Sequence, residues 1–280
     1  MESHDLKIFK HVAEMKSISK AADLLGYVQP NISQRIKSLE EELDVKLFTR
    51  TNRGVILTNE GELLLEYTHR ILSLMDEAKA EINPNKWREA LIIGASQTIS
   101  AFKIPHLFSS FLKNNENIEV KVKTDTKQKL QEMLSYGEID GLFLSGTYNE
   151  SQFKVIYSYL EKIVLISPKY GAEEEKAPQT LLINSDVNCI YRKKLLEFSR
   201  KNHINKPKVM EFDSLEAILQ AVYDGLGISV VPADVAYARK DIQTVQYQEL
   251  SEAVRIDFVI KKRKQRSQSL KKFIRFLENL

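Results

Sequence analysis

The chain is poor in the features that mark several protein classes. Its 1 cysteine, Cys189, excludes an internal disulfide framework and a Cys-rich metal site. No apolar run approaches the roughly 20 residues that a membrane-spanning helix needs, so no membrane partner is expected. The amino end, Met1-Glu2-Ser3-His4-Asp5, shows no basic leader ahead of an apolar run; no secretory signal is visible, and a cytoplasmic protein is expected. The net charge of +3 is too small to argue for nucleic acid by itself, so any such argument must come from where the charges sit. No phosphate-binding glycine loop, metal-ligand cluster or catalytic-triad spacing is present. No catalytic residue, metal or cofactor is therefore expected. What is present is 43% hydrophobic and 28% charged residues over 280 positions, the profile of a globular protein with two or three units.

Leu6, Phe9, Val12 and Ala13 recur at helical spacing and predict a first amphipathic helix. Ser17-Ile18-Ser19 interrupts it, and Ser19 is suited to cap a short second helix over 20–25. Gly26 can take the left-handed conformation that ends that helix. Pro30 suits the first turn of a third helix, which runs to about Leu43 with Ile32, Ile36, Leu39 and Leu43 on one face. Two short helices about a tight turn, the second polar on its outer face, form the helix-turn-helix layout. That outer face offers Gln29, Asn31, Ser33, Gln34, Arg35 and Lys37, side chains that hydrogen-bond base edges and phosphates. Residues 45–48 and 55–57 predict two strands around an Arg- and Asn-rich turn. This is a wing whose Arg50 and Arg53 can meet phosphates or a minor groove.

The run Ser19-Lys20-Ala21-Ala22, Gln29-Pro30-Asn31-Ile32-Ser33, Leu39-Glu40, Leu47-Phe48-Thr49-Arg50, Gly54, Leu57-Thr58 and Gly61 resembles the LysR-type transcriptional regulators at fixed spacing. The resemblance implies a homodimer or homotetramer that binds double-stranded promoter DNA and responds to a small-molecule inducer; RNA polymerase is a further expected partner. The expected DNA-binding set is Ser19, Gln29, Pro30, Asn31, Ser33, Gln34, Arg35, Lys37, Arg50 and Arg53. The sequence departs from the family at Val28, where a capping Ser is usual, and at Asp44, where Gly is usual. Asp tolerates the left-handed turn, so no change of fold is expected.

Thr58 can cap a long helix reaching about Lys86, and Asn83-Pro84-Asn85 ends it. Leu64, Tyr67, Ile71, Leu74 and Ala78 alternate at three- and four-residue steps as a heptad seam. The expected partner is the same helix of a second copy, the alternative being the chain's own domains. From Leu91 onward, strands alternate with helices and predict a mostly parallel α/β sheet. Strands are expected over 90–94, 119–123, 141–144, 181–183, 208–211 and 227–231, with crossovers over 155–168 and 255–260. The expected whole is α/β: a mostly α winged helix-turn-helix over 1–58, a linker helix over 59–88 and a sensor over 89–280. The first sensor lobe is expected at about 89–160 and 266–280, the second at about 161–265. Two segments, 136–141 and 225–232, are similar to the two-lobed sensors of the same regulators, which resemble periplasmic binding proteins. Asp140, Gly225 and Gly227 read as fold residues.

Ligands in such sheets bind beyond the carboxyl ends of strands. Ser96, Gln97, Thr98, Thr126, Asn184 and Ser185 are therefore the expected effector contacts, in a donor-rich pocket suited to a small anion of unknown identity. Plain helix capping is the alternative for these hydroxyls. Cys189 reads as a buried, inert thiol, with an activated thiol as the alternative. The competing functions are a solute-binding protein, which would need export, and an enzyme in the sensor fold, which would need a constellation the sequence does not offer.

Overall fold

The computed structural model describes residues 1–52, 54–83, 86–101, 103–169, 180–204, 206–238, 245–262 and 266–280. The amino-terminal head starts with α1 (Ser3–Met15), α2 (Ile18–Leu25) and α3 (Gln29–Leu43). Ile8, Phe9, Val12, Ala21, Ala22, Ile32, Ile36 and Leu39 bury together as its core. The cap of α2 is Ser17, not Ser19: Ser17 Oγ accepts from Lys20 N at 3.3 Å. Ser19 is an exposed residue of the first turn. At the start of α3, Val28 supplies no capping oxygen, and Pro30 fills the first turn, where no N–H partner is needed. Asp44 closes α3 in the left-handed region, with φ 53.

The wing is β1 (Phe48–Thr51) paired antiparallel with β2 (Gly54–Leu57). It is shorter at its start than the apolar pattern suggested, because the N–H groups of Leu47 and Phe48 are taken by the Glu40 carboxylate. Arg50 lies within β1, opposite Val55, rather than in the turn; Arg53 lies outside the described residues. Gly54 sits at φ +129 against the α1–α2 turn, where a Cβ would meet Lys16 O at 2.2 Å.

Thr58 caps α4 (Asn59–Ile82), accepting from Gly61 N at 3.0 Å. The helix stops before the expected Lys86; Pro84 and Asn85 lie outside the described residues. One face of α4 is already used within the chain. Leu65, Thr68 and His69 are buried, and Leu64, expected in the seam, packs on the head core instead. The opposite face carries Leu63, Tyr67 and Leu74 at 58%, 49% and 64% exposure, with Ala78 also exposed and Ile71 half-buried.

The sensor continues with β3 (Glu89–Ala95), α5 (Gln97–Ser100), α6 (Lys103–Leu112), β4 (Ile118–Thr124), α7 (Lys127–Tyr136), β5 (Gly141–Ser145) and β6 (Phe153–Pro168). Then come β7 (Thr180–Asn184), α8 (Ile190–Lys201), β8 (Lys208–Phe212), α9 (Leu215–Tyr223), β9 (Ser229–Pro232), α10 (Ala233–Tyr237), β10 (Val245–Lys261) and α11 (Gln268–Glu278). One sheet of 6 strands has the order β4-β3-β5-β10-β6-β9, and β7-β8 forms a pair.

The sheet is mixed rather than mostly parallel. β3 pairs parallel with β4 and β5, whereas β10 runs antiparallel to β5 and β6, and β6 antiparallel to β9. Apolar runs reveal a strand but not its direction. β6 and β10 both pass from one lobe to the other, and their ladder is interrupted between Glu249 and Ala253. Beyond that break β10 pairs with β5, so its second half joins the first lobe, not the second. β7 reaches the second lobe through Leu182 N to Ile228 O, at 2.9 Å. Asp140 Oδ2 accepts from Ile92 N at 2.9 Å and joins the approach to β5 to β3, a fold role. Among the described residues, no helix is long and apolar enough to cross a membrane.

The first lobe docks on the head. Tyr136, the last residue of α7, packs against the head core and hydrogen-bonds Glu62 of α4. Burial, and then that bond, push the Tyr136 hydroxyl up to about 12. Beside it Lys261 Nζ pairs with Glu66 at 2.6 Å and donates to Ser135 O at 2.7 Å.

Gly54→Ala is expected to lower head stability by about 1–3 kcal/mol, because its methyl group must displace backbone. Thermal unfolding of the variant measures this; an unchanged melting temperature would show that the wing does not sit against Lys16.

Candidate DNA interface and effector cleft

The head presents one groove between α3 and the wing, with a volume of 580 Å³. Pro30, Ser33, Gln34, Lys37 and Arg50 line it, so helix and wing residues expected to meet DNA come together on one surface. Gln29 and Asn31 are exposed on the first turn of α3. Arg35 departs from its expected place: Nη1 lies 2.8 Å from Asp5 Oδ1, which ties α3 to α1. Around the helix, Arg35 falls on the α1 side, a phase that its polarity does not reveal.

The part that Glu40 plays in this groove escaped the sequence reading. Glu40 is buried and accepts from Leu47 N, Phe48 N and Lys46 Nζ at 2.9, 3.3 and 2.9 Å. Burial works against its charge; those three bonds outweigh burial and hold the carboxyl below its usual range. Glu40 therefore fixes the wing's angle to α3. The signal that could have found it is a charged residue at a position whose helical phase is buried.

The sensor holds a cleft of 340 Å³ between its lobes. All six expected effector residues, Ser96, Gln97, Thr98, Thr126, Asn184 and Ser185, line it. They reach it from the carboxyl ends of β3, β4 and β7: Ser96 follows β3, Gln97 and Thr98 open α5, Thr126 precedes α7, Asn184 ends β7 and Ser185 follows it. Their bonding differs. Thr126 Oγ1 caps α7 through Lys129 N at 3.4 Å. Asn184 Oδ1 accepts from Asp186 N at 2.8 Å. Gln97 Oε1 accepts from Leu215 N at 3.3 Å, a bond from the first lobe to the start of α9 in the second. Ser96 and Thr98 make no side-chain hydrogen bond among the described residues.

Lys127 and Asp213 also line the cleft and were missed; their places, just after β4 and just before α9, were the available signal. Lys127 Nζ donates to Ser145 O at 2.7 Å. Burial, and then the Lys193 ammonium, hold Lys127 below the usual lysine range against the opposing pull of Asp186. Cys189 lines the wall at the start of α8. Burial pushes its thiol up, against hydrogen bonds from the Arg192 and Tyr191 backbone, so a reactive thiolate is disfavoured. Behind the cleft, the Tyr191 hydroxyl donates to Glu161 of β6. Burial raises Glu161 to about 7; the Tyr191 bond and Lys103 lower it, and Asp234 raises it.

A profile described as "LysR substrate binding domain" matches residues 84–280, and one described as "Bacterial regulatory helix-turn-helix protein, lysR family" matches residues 3–62. The chain belongs to the LysR family. It is a DNA-binding transcription regulator with an effector-binding domain, in a family of regulators rather than of enzymes. The HTH-type regulator YusT of Bacillus subtilis is 33% identical over 98% of this chain and 94% of its own length. CzcR of Bacillus thuringiensis is 32% identical over 99% and 94%. Among solved structures, CbnR matches with a TM-score of 0.66 at 23% identity, covering 100% of this chain and 99% of its own. CbnR in complex with its target DNA matches at 0.65 and 22%, with the same coverage. These likenesses confirm the fold of this LysR-type regulator.

Glu161 binds its proton more tightly in the folded chain than at its ordinary value of 4.5. Its contribution to stability is therefore complete below about pH 4.5 and is lost as pH rises through about 7. Glu161→Gln removes this dependence. Relative to wild type, the variant should gain about 3 kcal/mol of unfolding free energy between pH 4.5 and 8. Denaturant unfolding at stepped pH measures it, and a difference that stays flat with pH would refute a neutral Glu161.

Proposed function

We propose that this regulator reads promoter DNA as a homodimer, or as a homotetramer built from dimers. An effector with an anionic end, bound in the cleft, sets the position of its heads. The functional units are 1–58, 59–88 and 89–280, and RNA polymerase at the promoter is a further partner. The work is done in the cytoplasm, where the DNA lies. The observation that carries this reading is helix α7. Its first residue, Lys127, lines the cleft, and its last, Tyr136, sits on the head core. At 10 residues it spans about 15 Å. Leu130, Met133 and Leu134 bury it in the first lobe, so the lobe and the head surface it touches move together. A ligand that favours the closed cleft shifts the population of head positions.

We assign base-edge contacts to Gln29, Asn31, Ser33 and Gln34, and backbone contacts to Ser19, Lys37 and Arg50. Pro30 shapes the helix entry. Ser96, Thr98, Asn184 and Ser185 offer the effector hydrogen bonds, while Gln97 and Thr126 hold the cleft's form. The exposed α4 stripe of Leu63, Tyr67, Leu74 and Ala78, with Ile71 at its edge, is the surface for a second copy. A gel shift on the DNA upstream of the regulator's own gene tests the reading. A retarded complex that random DNA does not compete away is expected, and its absence would overturn it.

Gln34→Ala should cost about 1–3 kcal/mol on operator DNA and little on random DNA. Arg35→Ala should leave that ratio alone and lose at most about 1 kcal/mol of stability, the worth of an exposed ion pair. Binding titrations on both DNAs decide, and equal losses on both for Gln34→Ala would leave it a phosphate contact only. Leu74→Asp places a charge on the exposed stripe without touching the chain's own core. Light scattering should then report monomer with an unchanged circular dichroism spectrum; persistence of the wild-type assembly would move the interface elsewhere.

A further inference from the structure

We infer that the effector is a zwitterion, a small molecule with both a carboxylate and an ammonium group, of the α-amino acid type. The inference rests on the cleft being the effector site and specifies what fills it. Of the ionisable side chains lining the cleft, Lys127 is the one cation among the described residues, against Asp125, Asp186 and Asp213. The three carboxylates are not equivalent. Asp125 accepts from Thr126 N at 2.7 Å, and Asp186 accepts from Asn188 N at 2.9 Å, so each serves its own turn. Asp213 has no hydrogen bond or ion pair among the described residues. It stands two positions before Leu215, whose N–H meets Gln97 Oε1 at 3.3 Å, where the lobes touch.

Lys127 is spoken for by one bond, to Ser145 O at 2.7 Å, and an ammonium has three donors. Thr98 gives an independent sign that a ligand belongs here. It is 8% exposed, lines the cleft, and its hydroxyl has no protein partner among the described residues. Its oxygen opens onto the cleft, where a bound ligand can use it. A simple anion would satisfy Lys127 and Thr98 but would lie in a wall richer in carboxylates than in cations, with Asp213 unanswered. A simple cation would answer Asp213 but would give the unused donors of Lys127, which has only the Asp186 carboxylate pulling on it, no acceptor. A molecule carrying both charges meets both, its carboxylate taken by Lys127 and Thr98, its ammonium by Asp213. Ile99, Leu130, Leu142, Phe143 and Ile190 supply apolar wall for the remainder. The volume of 340 Å³ is within the range of about 300–1,000 Å³ usual for small-molecule sites.

The test uses the full-length protein, thermal shift and calorimetry. The probes are the twenty common L-amino acids, their N-acetyl derivatives, the matching primary amines, and simple mono- and dicarboxylates. At least one amino acid should bind at least tenfold more tightly than its N-acetyl derivative and its amine. Asp213→Asn and Lys127→Met should each weaken that amino acid at least tenfold, in proteins that keep the wild-type circular dichroism spectrum and a cooperative unfolding transition. If an N-acetyl derivative or a plain carboxylate binds as well as any amino acid, and Thr98→Val weakens it, the cleft stands as the effector site and the zwitterion is refuted. An amine that binds best refutes it equally. If no probe binds, or if those that bind do so alike in all three variants, the zwitterion falls together with the anionic effector in this cleft.

Discussion

Both lobes of the sensor hang on one antiparallel ladder. β6 and β10 each belong to both lobes, and their pairing shifts register twice, between Glu249 and Ala253 and between Phe258 and Val259, the first shift lying between the lobes. A ladder interrupted in this way bends and twists more strongly at the break. A rotation of the lobes about the first shift would leave the hydrogen bonds on either side of it in place. What opposes the motion on the cleft side is modest. The Gln97–Leu215 bond is worth about 0.5–1.5 kcal/mol, an amount that a ligand's own contacts can exceed. Tyr191 and Glu161 lie on the other side of the cleft floor, and Glu161 adjoins Lys162 at the edge of the break.

The head follows a different logic, in which a buried charge sets geometry. Glu40 gathers the start of the wing to the recognition helix, so groove width is held by a carboxylate rather than by strand pairing. That is why the wing is shorter than its apolar residues suggest. The helices, by contrast, were readable, because their apolar spacing, the left-handed Gly26 and Pro30 all act locally. The Ser17 cap was misplaced by two residues, since Ser17 and Ser19 offer the same oxygen and only the backbone angle chooses between them.

The candidate site was legible wherever it followed from strand ends. Ser96 follows β3, Thr126 stands two residues after β4, Asn184 is the last residue of β7, and the three meet in the cleft. What was not legible depended on contacts distant in sequence. Arg35 finds Asp5, 30 residues away. Leu64 finds the head core because a three-four repeat states that a face is apolar, not which neighbour covers it. Strand direction was hidden for a like reason, since β6 and β10 present the same apolar runs whichever way they point.

Tyr136 has a consequence for how this regulator can be divided. Its ring belongs to the sensor by sequence and to the head by packing, and Lys261 holds the same seam closed from the far end of the sensor. Head and sensor are therefore not interchangeable cassettes. A chimera joining this head to a foreign sensor would leave an apolar notch open and Glu62 and Glu66 without their partners. Lineages that recombined such domains would have had to carry the aromatic side chain and the lysine across the junction, although these residues lie 125 positions apart and far from either junction sequence.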